Sequence, residues 1–297
     1  MAGDRSHRRN VHFYLASRPD QPLGGLRMHT SVTKKKFLSM LEILIIADCP
    51  YTVSLRGTCI ILTATDEPLP PGHYDIESSG DGIESGSISI TDEPCITRVL
   101  SRSVSGRQDR FRNEVRERDG KCVITGVMNP DADVGHWRTF EAAHIFPVSK
   151  EEEFRSQGFS RWITDREGGS TGINSCQNGL LMRSHIHQLF DGFDFSIDPD
   201  DNYMITSFDA DLERLDGRVL DPICRDPNDE RSVRDELLRW HFRQAVLANM
   251  RGAGEPVHEF DFPPGTDMIG DILSGPQAAQ RMEAELFSRV NDPSLVQ

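Results

Sequence analysis

Cysteine is scarce and poorly placed for metal or disulfide chemistry. The six residues, Cys49, Cys59, Cys95, Cys122, Cys176 and Cys224, contain no CxxC pair, so no zinc ribbon is signalled. Six thiols in 297 residues are also too few for a disulfide scaffold, and Cys122 and Cys176 read as buried thiols. No apolar run approaches the roughly 20 residues of a membrane span. The opening stretch, MAGDRSHRRN, lacks the apolar segment of a secretory signal. These absences predict an intracellular, reduced protein of the nucleus or cytoplasm, neither secreted nor membrane-bound. There is no repeat of 20–50 residues, no Walker loop, no GxSxG elbow and no GxGxxG after a strand. Positive charge is short as well: 33 Lys and Arg against 47 Asp and Glu give −14. Such a chain does not hold polyanions non-specifically, because phosphate contacts need Lys and Arg.

Hydrophobic residues reach 37%, enough for a folded core. The charge is uneven. Residues 1–36 hold eight Lys/Arg against two Asp/Glu, and residues 98–121 hold eight against four. The acid excess lies mostly after residue 190, so local basic faces survive. The length predicts two or three units.

Residues 11–17, 52–65 and 87–91 read as strands, the second broken by Gly57. Residues 35–48 read as a short helix passing into a buried strand. This makes 1–100 a β-rich unit. Within 101–118 the character switches, and RQDRFRNEVRERDG has helical periodicity through Phe111 and Val115, stopped by Gly120. Its arginines, Arg107, Arg110, Arg112, Arg116 and Arg118, are candidates for nucleic-acid contact, although a charge run also suits a solvated face. Residues 122–148 read as two short strands around a polar turn, and 149–175 as a polar insertion. The run NGLLMRSHIHQLFDG reads as a helix, and 193–208 as a hairpin with DPDDN as its turn. Residues 234–254 and 275–290 read as helices.

The chemistry gathers in the middle. His144 stands in EAAHIFP. Asn178 stands in QNGLLM, His187 nine residues later, and Asp191 four after that. Positions i and i+4 share a helix face, so His187 and Asp191 can converge on one cation. An imidazole and a carboxylate together suit Mg²⁺, Mn²⁺ or Zn²⁺.

These residues resemble the HNH endonuclease family, built on the ββα-metal finger. The matching segments are AAHIFP (142–147), QNG (177–179) and HIHQLFD (185–191), with RERDGKCVITG (116–126) similar to the approach to the finger in fungal members. The resemblance implies an α+β fold: a β-rich N-terminal domain (1–100), a central finger with an insertion (101–225) and a helical C-terminal region (226–297). It implies His144 as general base, Asn178 as the residue holding the loop, and His187 and Asp191 as ligands of one divalent metal. Mg²⁺ or Mn²⁺ comes first, and Zn²⁺ also fits. The substrate implied is nucleic acid, DNA ahead of RNA. One departure stands out: where many relatives carry a third ligand before the base, this chain has Ala143. Either Glu141, two strand positions earlier on the same face, reaches the metal, or two protein ligands and water suffice. The departure and the acidic total also leave open an inactive finger that serves as a binding module.

Overall fold

The computed structural model describes residues 5–58, 60–79, 87–96, 106–165, 169–255 and 267–274, with 278, 279 and 282. Val11–Leu15 (β1) and Pro22–Leu26 (β2) pair antiparallel. Strand alternation sends Val11 and Phe13 into the core and leaves His12 half-buried on the other face. Lys34–Leu44 (α1) starts at Thr33, whose hydroxyl accepts from the Lys36 amide at 3.1 Å. It buries Phe37, Met40, Leu41 and Leu44 at helical spacing and runs directly into Ile45–Ala47 (β3), the predicted helix-to-strand passage. Tyr51–Leu55 (β4) and Gly72–Ser78 (β5) complete a four-stranded sheet in the order β2-β1-β5-β4, with β1 and β5 parallel. Ile88–Ile90 (β6) pairs with β3.

Gly106–Asp119 (α2) forms as predicted, with Phe111 and Val115 buried and Gly120 left-handed at φ +63° behind it. The next segment departs from expectation. Of the two strands predicted in 122–148, only Phe140–His144 (β7) forms. Residues 121–128 instead make a turn closed by a single bridge between Lys121 and Met128, with Gly126 at φ +75°. The polar insertion is packed. Glu151–Ser156 (α3) buries Phe154, which meets Phe146 and Phe159, and Trp240 stacks on Phe146 at 4.0 Å. The partner of β7 is Gly179–Arg183 (β8), a segment predicted to be helical; the helix begins only with Ser184–Asp191 (α4). Phe195–Asp198 (β9) and Met204–Ser207 (β10) form the expected hairpin, its turn carrying Asn202 and Tyr203 at φ +52° and +57°.

Asp235–Met250 (α5) joins two hydrophobic cores. Leu237, Leu238 and Trp240 enter the core around Phe111, Phe146 and Phe190. Phe242, Val246, Leu247 and Met250 enter the core around Phe13, Phe37 and Met40. Lys36, also buried, crosses from α1 to Thr206 at 3.0 Å and Asp201 at 2.6 Å. Met268–Ser274 (α6) follows, while the helix predicted at 275–290 lies outside the described residues apart from 278, 279 and 282. Among the described residues no helix is long and apolar enough to cross a membrane.

Candidate functional site

The β7–β8 pairing sets Glu141 opposite Met182 and His144 opposite Gly179. Successive strand residues point to opposite faces. Glu141 and Ala143 therefore share one face, and Ala142 and His144 the other. On the first face, α4 begins immediately after β8 and presents His187 and Asp191 one turn apart. Glu141 Oε2 lies 2.7 Å from His187 Nδ1, and Asp191 Oδ2 lies 3.2 Å from His187 Nε2. Burial works to lower the pKa of His187, but the two carboxylates outweigh it and lift it to about 9. His185, two positions from His187, turns to Glu213 at 3.3 Å instead.

The end of α4 is held from two directions. His241, buried on α5, stacks on Phe190 at 3.7 Å and donates from Nε2 to the Phe190 carbonyl at 3.1 Å, while its Nδ1 meets the Ser196 hydroxyl. Arg5 donates to the Gly192 carbonyl at 2.8 Å and to Asn249 Oδ1 at 2.7 Å. Neither contact has a periodic signature in the sequence.

On the second face, His144 stacks on Phe111 of α2, ring centroids 3.7 Å apart and planes within 10°. Gly179 makes room for this, since a Cβ there would come within 2.5 Å of the Phe111 ring. Asn178, fully buried, fixes the residues that follow His144. Its Nδ2 donates to the carbonyls of Phe146 (3.0 Å) and Ile173 (2.9 Å), and its Oδ1 accepts from the Phe146 amide (2.8 Å).

The arginines of α2 divide. Arg118 is buried, paired with Asp119 at 2.6 Å and donating to the carbonyls of Cys176, Gly179 and Arg231. It is corrected from a nucleic-acid candidate to an internal clamp, because its donors are all satisfied out of solvent. Asp119 in turn accepts from the Leu181 amide at 2.8 Å, fastening β8 to α2. Arg110 bonds Glu114 and Asp165, and Arg112 bonds Asp109. Arg116 lies over the Trp137 ring at 5.0 Å. The Arg107 side chain lies outside the described residues. Cys122, Cys176 and Cys224 are buried free thiols, as predicted for the first two.

Among the described residues no three His, Cys, Asp or Glu side chains surround a common point as a full ligand set. The reason lies at His187: Glu141 and Asp191 occupy different ring nitrogens, so one cation on this imidazole cannot meet both carboxylates. The pair His187 Nε2 and Asp191 Oδ2 does fit. They lie 3.2 Å apart on one face of α4, an imidazole nitrogen and a carboxylate oxygen that would share one divalent cation.

Two family models match the chain. The HNH endonuclease family matches residues 122–198, and a domain of unknown function (DUF8573) matches residues 8–82. The searches of curated proteins and of solved structures gave no match. The strand, buried asparagine and helix described above all fall within the first match, so the chain carries a central HNH domain, of nuclease type and related to nucleic acid.

Proposed function

We propose that the protein is a metal-dependent endonuclease that hydrolyses phosphodiester bonds of DNA. The observation that carries this reading is the placing of His187 Nε2 and Asp191 Oδ2 side by side on α4, within the segment that matches the HNH endonuclease family. His187 and Asp191 would hold one divalent cation, which supplies charge neutralisation at the scissile phosphate and its leaving oxygen. Glu141 then acts from behind. Accepting from Nδ1–H, it would leave Nε2 as the nitrogen free to hold a cation, as carboxylate partners of ligating histidines do. This favours two protein ligands plus water over Glu141 as a third ligand. The resemblance gives His144 the role of base: although its ring lies on the other face of β7 from Glu141, it closes the strand, and as neutral imidazole it would take the proton from the attacking water while the new oxygen–phosphorus bond forms and the bond to the 3′ oxygen breaks. Asn178 holds Ile145 and Phe146 by backbone and side-chain bonds, and so sets where β7 ends. Phe111 holds the His144 ring in plane.

The test is relaxation of supercoiled plasmid with Mg²⁺, Mn²⁺ or Zn²⁺. Wild type nicks the plasmid, His144→Ala loses about 10²–10⁴-fold in rate, and Asp191→Ala requires far more metal. Equal nicking by His144→Ala removes the base from the mechanism.

A second reading, a catalytically silent finger used for binding, draws on the fully buried Ala143 and on the face-to-face packing of His144 against Phe111. Wild type that nicks with none of the metals, and shows no thermal shift with Mn²⁺, supports that reading instead.

A further inference from the structure

The nucleic-acid reading leaves open which surface holds the backbone, since the chain as a whole is acidic. Four arginines of α2 have described side chains, and three of them end on carboxylates: Arg110 on Glu114 and Asp165, Arg112 on Asp109, Arg118 on Asp119. Arg116 does not. No described carboxylate lies within ion-pair distance of it, and its Nε is buried without a hydrogen-bond partner. What it touches is the face of Trp137, 5.0 Å from the ring centroid. That ring meets Phe140 edge-on at 6.4 Å. Phe140 opens β7, and its cross-strand partner is Arg183, the last residue of β8. Directly opposed residues share a face, so Arg183 projects on the same side as Phe140. Arg138, exposed, adjoins Trp137 in the chain. Neither the Arg138 nor the Arg183 side chain makes a hydrogen bond or ion pair with a described residue.

We infer that Arg116, Arg138 and Arg183, at the Trp137–Phe140 end of the hairpin, form the contact for the phosphate backbone of the nucleic acid. The inference rests on the proposed function and names its binding surface. In a chain of charge −14, guanidinium groups left without carboxylates are the ones whose charge is available to a polyanion. Their planar forks match phosphate oxygens. The indole beneath Arg116 holds it extended by cation–π attraction, lowering the ordering cost of the contact. By strand alternation Phe140 and Arg183 share the face of Ala142 and His144, so a backbone bound there runs along the His144 side of the hairpin.

The experiment measures binding of a 20-base-pair duplex by the full chain in EDTA, between 50 and 200 mM KCl, by fluorescence anisotropy. Each of Arg116→Gln, Arg138→Gln and Arg183→Gln is expected to reduce the slope of log K against log salt by about 0.9. Arg155→Gln, a paired arginine on α3, leaves it unchanged. Arg138 is exposed, so its variant remains informative if the half-buried Arg116 variant unfolds. Unchanged slopes in the three variants, or no binding by wild type, overturn the inference. So does competition by polyglutamate equal to that of the duplex at matched charge. Since no metal is present, binding with the expected slopes beside a wild type that never nicks would sink the endonuclease reading and leave this one standing.

Discussion

Asn178 is the side chain on which the loop after His144 depends. It meets three backbone groups with three hydrogen bonds, all out of water. Asn178→Ala should cost about 2–4 kcal/mol, because buried partners left unsatisfied cost about 1–3 kcal/mol each and relax only in part; urea unfolding measures this. Asn178→Asp should be at least as damaging, since it sets an acceptor oxygen against the carbonyls of Phe146 and Ile173. A second prediction concerns Asp194. Burial raises its pKa, Arg5 opposes and Asp209 adds, and the result is about 6. The folded value lies above the ordinary carboxyl value of 3.8, so the fold holds the proton more tightly than the unfolded chain. Asp194 therefore withdraws stability as pH rises from about 4 to about 6. Asp194→Asn should gain on wild type across that window in thermal melts, and an unchanged difference would refute it. At this scale the sequence was partly legible. His187 and Asp191 could be paired because the helical period is regular. Arg118 was misread because its partner is its immediate neighbour, and adjacent helix residues do not ordinarily face each other. The stacking of His144 on Phe111 spans 33 residues and leaves no periodic trace.

Among the elements, β8 shows where pattern reading fails. Gly179–Met182 is a short apolar run beside a helix, and such runs do not distinguish a buried strand from a buried helix. The ladder to β7 and the bond from the Leu181 amide to Asp119 decide for strand. Gly179 is the point of tightest contact, with Phe111 and Val115 closing over it. Gly179→Ala should push α2 away from the hairpin, at about 1–3 kcal/mol for overpacking. It should also loosen the Phe111–His144 stack, lowering both the melting temperature and any nicking rate. A fully stable variant would show that α2 yields freely. Helix α2, by contrast, was legible because its apolar spacing and terminating Gly120 agree, and α1 because its apolar spacing passes into a continuous run.

Over the whole molecule, α5 contributes to both hydrophobic cores. Leu238→Ala strikes the core around Phe146, and Val246→Ala the core around Phe37. Each should cost about 1–5 kcal/mol, and each should lower the same single unfolding midpoint, monitored by tryptophan fluorescence and far-UV dichroism together. Two separated transitions would contradict this coupling. The sequence marked α5 as a helix but could not say that its two halves serve different cores, because burial around the whole helix leaves no one-sided stripe.

The HNH match spans residues 122–198, yet the ring beneath His144 comes from Phe111 and the ring on Phe146 from Trp240. Recombination that carried only the matched segment into another gene would deliver the motif stripped of both supporting walls. Inheritance of this finger is thereby tied to inheritance of its flanks, and a working chimera has to begin before α2 and run past α5.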